Sequence, residues 1–423
     1  MLALAVVLVL SGCTPEERPE VKYRVESPEQ RSAAIKDTLT ATAAQEGGPD
    51  YVEVDAFFRR LGQASRSTDS IDAEKYVSLN AMLGSLESSG LMSGMSQNEI
   101  RGFKHGFKRS ATITLMNSFR QMAFDDHRLL RLERLDENEL LAYVRHYDNE
   151  VNIAMQMRWW LVQTSDGLRI YDLEELSVGL RSIALMGTVM KAAIAQNPDP
   201  WLENFVSLAR QFQTVDMADP TALLSMEEPL IELRTHSMPE DIQRFASMLM
   251  TSLFLLKGET EAAIAELETA YAEGYHSPLS HYLMGTALTQ LELYEEALEE
   301  FEAHADYLGW DSDVLELVSD TYFKMGRMEE ARNAALRGLE DNPGAISCLA
   351  SLAAASTPEQ LGSDLTRQMF ADSGDPAWAY ELAMDYSIDV DQIAQAKELF
   401  TQFKANYPQS DLISYYTELF NGR

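Results

Sequence analysis

The chain has 423 residues, 46% of them hydrophobic, which is enough apolar material for two or three folded domains. Its 67 acidic and 34 basic side chains leave a formal net charge of −33. Such a surface repels phosphate backbones and anionic headgroups, so it excludes nucleic acid as a partner and a basic patch as a membrane contact.

The N-terminus comes first. Residues 2–10 read LALAVVLVL, an apolar run too short to span a bilayer as a helix and suited to the core of a signal peptide. Leu10-Ser11-Gly12-Cys13 follows at once and resembles the lipobox of bacterial lipoproteins. The resemblance implies cleavage after residue 12 and a diacylglycerol on the Cys13 thiol. It makes the chain a membrane-anchored envelope lipoprotein, and Thr14 in place of Asp points to the periplasmic face of the outer membrane. With Cys13 acylated, Cys348 is the one remaining thiol, which leaves no intrachain disulfide and no paired-cysteine zinc site. Cys348 sits in a run of small residues and is expected to be a buried structural thiol. Residues 13–50 are rich in proline, glycine and charge without apolar period, and read as a tether reaching about 35 Å.

Residues 51–183 read as an α+β domain. Helical patterns start at Val54 and run near Asp72–Leu86, Ser96–Phe107 and Thr112–Ala123; strands follow at His127–Leu135, Glu139–Tyr147, Val151–Gln163 and Leu168–Glu174. Asp148-Asn149 and Asp166-Gly167 are hairpin turns. In the third strand Val151, Ile153, Met155, Met157, Trp159 and Leu161 share one face, and Asn152, Gln156 and Arg158 the other. Helices followed by an antiparallel meander ending Asp166-Gly167-Leu168-Arg169-Ile170-Tyr171-Asp172 resemble the cone-shaped nuclear-transport-factor-like (SnoaL-like) fold. That resemblance implies a pocket in a curved sheet. His127, Tyr143, His146 and Asp172 are residue types such pockets use, but no spacing selects them, and no catalytic role is assigned. Arg101, Lys104, His105, Lys108 and Arg109 form the densest basic cluster, either a solvated helix face or a dock for an acidic surface.

Residues 184–423 carry an internal period. Ala263, Ala297 and Ala331 recur at 34-residue intervals in the contexts TEAAI, YEEAL and MEEAR, and Gly258 and Gly326 stand two periods apart. Glu292 and Asp391 occupy the corresponding turn positions of two further copies. This resembles the tetratricopeptide repeat, a helix–turn–helix unit that stacks into a solenoid. A degenerate copy is expected over Gly344–Asp375, irregular helices at Trp201–Val215 and Thr221–Thr235, and a closing helix at Asp411–Phe420. The resemblance places Tyr282, Thr286, Gln290, Asp313, Glu316, Asp320, Trp378, Glu381 and Asp385 on the concave face. That groove is acidic with an aromatic anchor and fits basic or amphipathic protein segments. No phosphate loop, zinc-protease motif, dinucleotide fingerprint or nucleophile elbow is present, so no cofactor and no metal is expected. The reading is a protein-interaction scaffold or assembly accessory factor. The rivals are an enzyme, or a small-ligand sensor, using a pocket in the α+β domain.

Overall fold

The computed structural model describes residues 48–66, 75–88, 92, 96–98, 100–108, 126–148, 153–176, 180–194, 199–212, 224–373 and 375–421. The expected signal peptide, Cys13, the tether as far as residue 47, Arg109, the helix at Thr112–Ala123, and Asn149 and Asn152 lie outside them. The chain forms two compact units, one ending at Leu283 and one beginning at Met284.

In the first unit, helix α1 (Pro49–Ser65) opens on a proline, whose fixed φ suits a first helical turn. It buries Val54, Phe57, Phe58 and Leu61, a stripe at helical spacing. Helix α2 (Leu79–Ser88) buries Met82, Leu83 and Leu86. Strands β1 (Asp126–Arg134), β2 (Glu139–Asp148), β3 (Ile153–Thr164), β4 (Gly167–Glu175) and β5 (Leu180–Arg181) form one sheet in sequential antiparallel order. The four long strands stand where alternation places them; the two-residue fifth has too little pattern to read. Register shifts at Leu129/Arg131 and Trp160/Leu161 interrupt the ladders, as bulges that bend a sheet do. Val144, Met157, Trp159 and Leu161 are fully or almost fully buried on one face, and α1 packs on β1. Helix α3 (Ser182–Ile194) covers β4, and the sequence reading did not mark it. It is apolar almost all round, so it carries no amphipathic period to detect.

Helices α4 (Pro200–Phe212), α5 (Glu227–Arg234), α6 (Glu240–Leu256) and α7 (Thr260–Ala272) complete the first unit, and α8 (Pro278–Gln290) spans the division. The second unit holds α9 (Tyr294–Leu308), α10 (Ser312–Lys324), α11 (Met328–Asp341), α12 (Ile346–Ala354), α13 (Pro358–Leu361), α14 (Asp364–Asp372), α15 (Pro376–Asp389), α16 (Ile393–Asn406) and α17 (Leu412–Asn421). Among the described residues no helix is long and apolar enough to cross a membrane.

The 34-residue period reappears in the placement of the helices. α7, α9 and α11 begin at Thr260, Tyr294 and Met328, and α8 and α10 at Pro278 and Ser312. The turns inside the hairpins share one geometry. Gly258, Glu292, Gly326 and Asp391 all adopt positive φ, 62–75°. The residue after each donates its N–H five residues back: Glu259 to Phe254, Leu293 to Leu288, Arg327 to Tyr322 and Gln392 to Ser387, at 2.7–2.9 Å. This closure satisfies carbonyls that the ending helix leaves open. A side chain in the left-handed region is strained. Glu292→Gly and Asp391→Gly should therefore each raise stability by about 0.5–1 kcal/mol in denaturant titrations. A loss of stability would mean that the replaced side chains contribute more than the strain costs.

The stretch expected as a degenerate copy contains three short helices, not two. Its second half is broken at Gly362-Ser363: Thr357 and Gln360 form a reciprocal cap at the start of α13, and Ser363 caps α14 two residues after α13 ends. Local hydrogen-bonding side chains here outcompete helix continuation. Cys348 is fully buried, donates to the Ser312 carbonyl at 3.3 Å and leaves room for nothing larger than glycine at position 338. Burial, and then the nearby Glu316 and Asp313 charges, push its thiol well up, so it is inert.

Candidate functional site

The sheet residues of catalytic type serve the fold. His146 is buried beside Phe58 and Trp159, and its Nε2 accepts the Trp159 indole N–H at 3.0 Å. Burial first, and then His127, hold it well below the ordinary imidazole range. His127 Nε2 lies 3.0 Å from Asp55 Oδ1 on α1. Asp172 accepts the backbone N–H groups of Leu173 at 2.9 Å and Ile183 at 3.0 Å, and Arg181 reaches its other oxygen. It thereby anchors the start of α3, and burial lifts its carboxyl to about 6 against the pull of Arg181.

The polar face of the sheet is closed, where alternation alone implies a solvated one. Arg145, Gln156, Asp172 and Glu174 are all less than a tenth exposed. Arg131 and Arg158 lie over the Tyr143 ring, 5.5 and 5.9 Å from its centroid, and Arg158 Nε donates to Glu174 at 3.0 Å. Arg131 pairs with Glu133 at 2.7 Å, and Arg181 stacks over Trp160 at 4.2 Å. Each of these carboxylates is matched to an arginine. The layer is an internal ion-pair network with the costs such networks carry.

His146 gives the fold an acid limit. Its folded pKa is depressed, so its contribution is complete above the unfolded value near 6.5 and is lost as pH falls below it, at about 1.4 kcal/mol per unit. His146→Gln keeps an acceptor for the Trp159 N–H. In thermal melts between pH 7.5 and 5 that variant should lose less stability than the parent; parallel slopes would remove His146 as the cause.

The basic cluster is tied down in part. Lys104 pairs with Glu87 of α2 at 2.9 Å and Lys108 donates to Asn80 at 2.7 Å, while Arg101 and His105 are exposed. Two of its cations therefore dock their own helix against α2.

The expected groove residues are distributed over three helices. Tyr282 lies half-buried at the end of the first unit, and Thr286 and Gln290, half-buried and exposed, open the second. On α10, Asp313, Glu316 and Asp320 share a face and are half-buried. On α15, Trp378 is 48% exposed, Glu381 is half-buried and Asp385 is exposed. Within the second unit the fold adds two hydroxyls that the sequence reading missed. Tyr386 donates to Asp320 Oδ1 at 2.6 Å, and Tyr416 of α17 donates to Asp385 Oδ1 at 2.7 Å. Lys324 holds the second Asp320 oxygen at 2.7 Å. Glu316 remains between two acids: burial first, then Asp320 and Asp313, raise its carboxyl to about 7 while Lys324 pulls the other way. Tyr386 and Tyr416 reach partners 66 and 31 residues away, a distance no periodic pattern signals.

No family model matches the chain, and no curated protein matches it. Among solved structures, one of Pseudomonas aeruginosa pilF is similar over 51% of this chain and 96% of its own, at 15% identity and a TM-score of 0.34. A likeness that slight carries nothing about fold or function. Among the described residues no group of three or more His, Cys, Asp or Glu is placed to hold a metal ion. On α15, Trp378, Glu381 and Asp385 follow one another at spacings of three and four residues and so share a helical face.

Proposed function

We propose that this protein is an envelope lipoprotein that works as a protein-interaction scaffold. In this reading an acylated Cys13 and a tether to residue 50 hold a sheet-bearing domain, residues 51–183, and a tetratricopeptide solenoid, residues 184–423, at the periplasmic face of the outer membrane. The observation that carries the scaffold is the recurrence of helix starts at Thr260, Tyr294 and Met328 with one turn geometry at Gly258, Glu292, Gly326 and Asp391. Stacked helical hairpins expose a long face suited to extended or helical segments. Asp313, Glu316 and Asp320 on α10 and Trp378, Glu381 and Asp385 on α15 supply charge and an apolar anchor, which favours a basic or amphipathic partner.

Crosslinking and pull-down from native membranes identifies the partner. Reversing Asp313, Glu316 and Asp320 together to Lys should then abolish its capture and leave the circular dichroism spectrum unchanged. Capture that survives the triple reversal at low salt overturns the groove assignment.

A further inference from the structure

We infer that the segment taken by the concave face is arginine-rich: the exposed rings of Trp378 and Tyr415, with the carboxylates beside them on α15, form a surface that accepts guanidinium side chains in preference to ammonium ones. This rests on the scaffold reading and narrows its partner from basic segments to arginine-bearing ones.

A guanidinium is planar and weakly hydrated. Its face stacks on a ring while its edge donates to a carboxylate, whereas an ammonium is a strongly hydrated point charge. The chain's own arginines make this double contact repeatedly. Arg181 lies over the Trp160 ring at 4.2 Å and holds Asp172. Arg327 lies over Tyr322 at 4.6 Å and holds Glu330 at 3.0 Å. Arg244 lies over Tyr275 at 5.0 Å and holds Glu240. Arg244 lines a cavity of the first unit with Arg234, Glu266 and Glu273, and there too Arg234 is taken, by Glu266 at 2.7 Å.

On α15 the same two halves stand together, and the chain supplies no cation. Trp378 is 48% exposed, and Glu381 lies one turn further on. Asp375 caps the helix by accepting the Trp378 N–H at 3.1 Å, which puts another carboxylate at the same end. Asp385 accepts from Tyr416 at 2.7 Å, and the Tyr415 ring, 57% exposed, lies 5.0 Å from that of Tyr416. Burial first, then Asp385 and Glu381, push the Tyr416 phenol well up, so it remains a donor and keeps Asp385 in place. Among the described residues no lysine or arginine lies over Trp378 or Tyr415, and neither Glu381 nor Asp385 forms an ion pair. Trp378 and Asp385 are seven residues apart, about 10 Å along the helix. Three residues of extended chain cover that length, so arginines at every third position of an extended segment reach both ends.

The test is fluorescence anisotropy of the full chain with two rhodamine-labelled, end-capped peptides, four repeats of Gly-Ser-Arg and four of Gly-Ser-Lys, at physiological salt. The arginine peptide should bind about tenfold tighter, the scale of a ring contact made by guanidinium and not by ammonium. Trp378→Ala with Tyr415→Ala, both at exposed rings, should bring it down to the lysine level with an unchanged circular dichroism spectrum, and Trp378→Phe should retain part of the preference. Glu381→Gln should weaken both peptides. Equal binding of the two peptides by the parent overturns the arginine assignment and leaves the acidic face standing, whereas binding of neither overturns the basic partner as well. A double variant that keeps the preference overturns the assignment. So does a parent chain that sediments as a dimer and a double variant that sediments as a monomer, which makes a second copy the occupant.

Discussion

Ala297→Trp should lower the thermal midpoint by several degrees, while Glu299→Trp two residues away leaves it nearly unchanged. Ala297 is fully buried on α9, and Glu299 is exposed on the same helix. One turn beyond Ala297, Phe301 is fully buried, and a Cβ added at Gly285 of α8 would lie 2.6 Å from its ring. The α8–α9 hairpin therefore closes to a distance that only small residues allow. An indole at position 297 must push the helices apart or leave its rotamer, which costs about 1–3 kcal/mol and more where the backbone cannot yield. In denaturant titration the two variants should separate by that amount. Equal shifts would mean that position 297 is not a helix–helix contact and that the 34-residue register is displaced.

Cys13→Ala should move the protein from the membrane fraction to the soluble fraction. The expectation follows from the apolar run and the Leu10-Ser11-Gly12-Cys13 motif, and from a net charge of −33 that keeps an unanchored chain away from anionic lipid. A diacylated cysteine gives two buried chains and firm attachment, where one chain binds only marginally. The effect is close to all-or-none and is read by fractionation and immunoblot, with mass spectrometry of the N-terminal peptide reporting the lipid. A Cys13→Ala protein that still sediments with membranes through a high-salt wash would place the anchor elsewhere.

Two kinds of feature were legible in the chain before folding. Strands β1 to β4 and the helical hairpins repeat a local pattern: alternation marks the strands, and alanines at 34-residue spacing mark the close contacts within hairpins. These signals survive because each reports a neighbour only a few residues away, or a contact that recurs at constant separation. Glu292 and Asp391 could even be recognised as turn residues in glycine's place, and both adopt the left-handed backbone. Helix α3 escaped notice because it is buried on most sides, and the α12–α14 stretch because its caps cut a helix where the period continues.

The amino-acid sequence alone determined the charge, the repeat period, the order of strands and hairpins, and the side of α10 on which Asp313, Glu316 and Asp320 lie. The tertiary structure decided what those groups meet. It set Tyr386 against Asp320 and Tyr416 against Asp385, closed the polar face of the sheet over its arginines, and drew Arg234, Arg244, Glu266 and Glu273 around one cavity. The reason is physical: these are single contacts between side chains far apart in the chain. The energy of such a contact depends on burial and on the charges that packing brings near, and neither quantity is a property of local sequence.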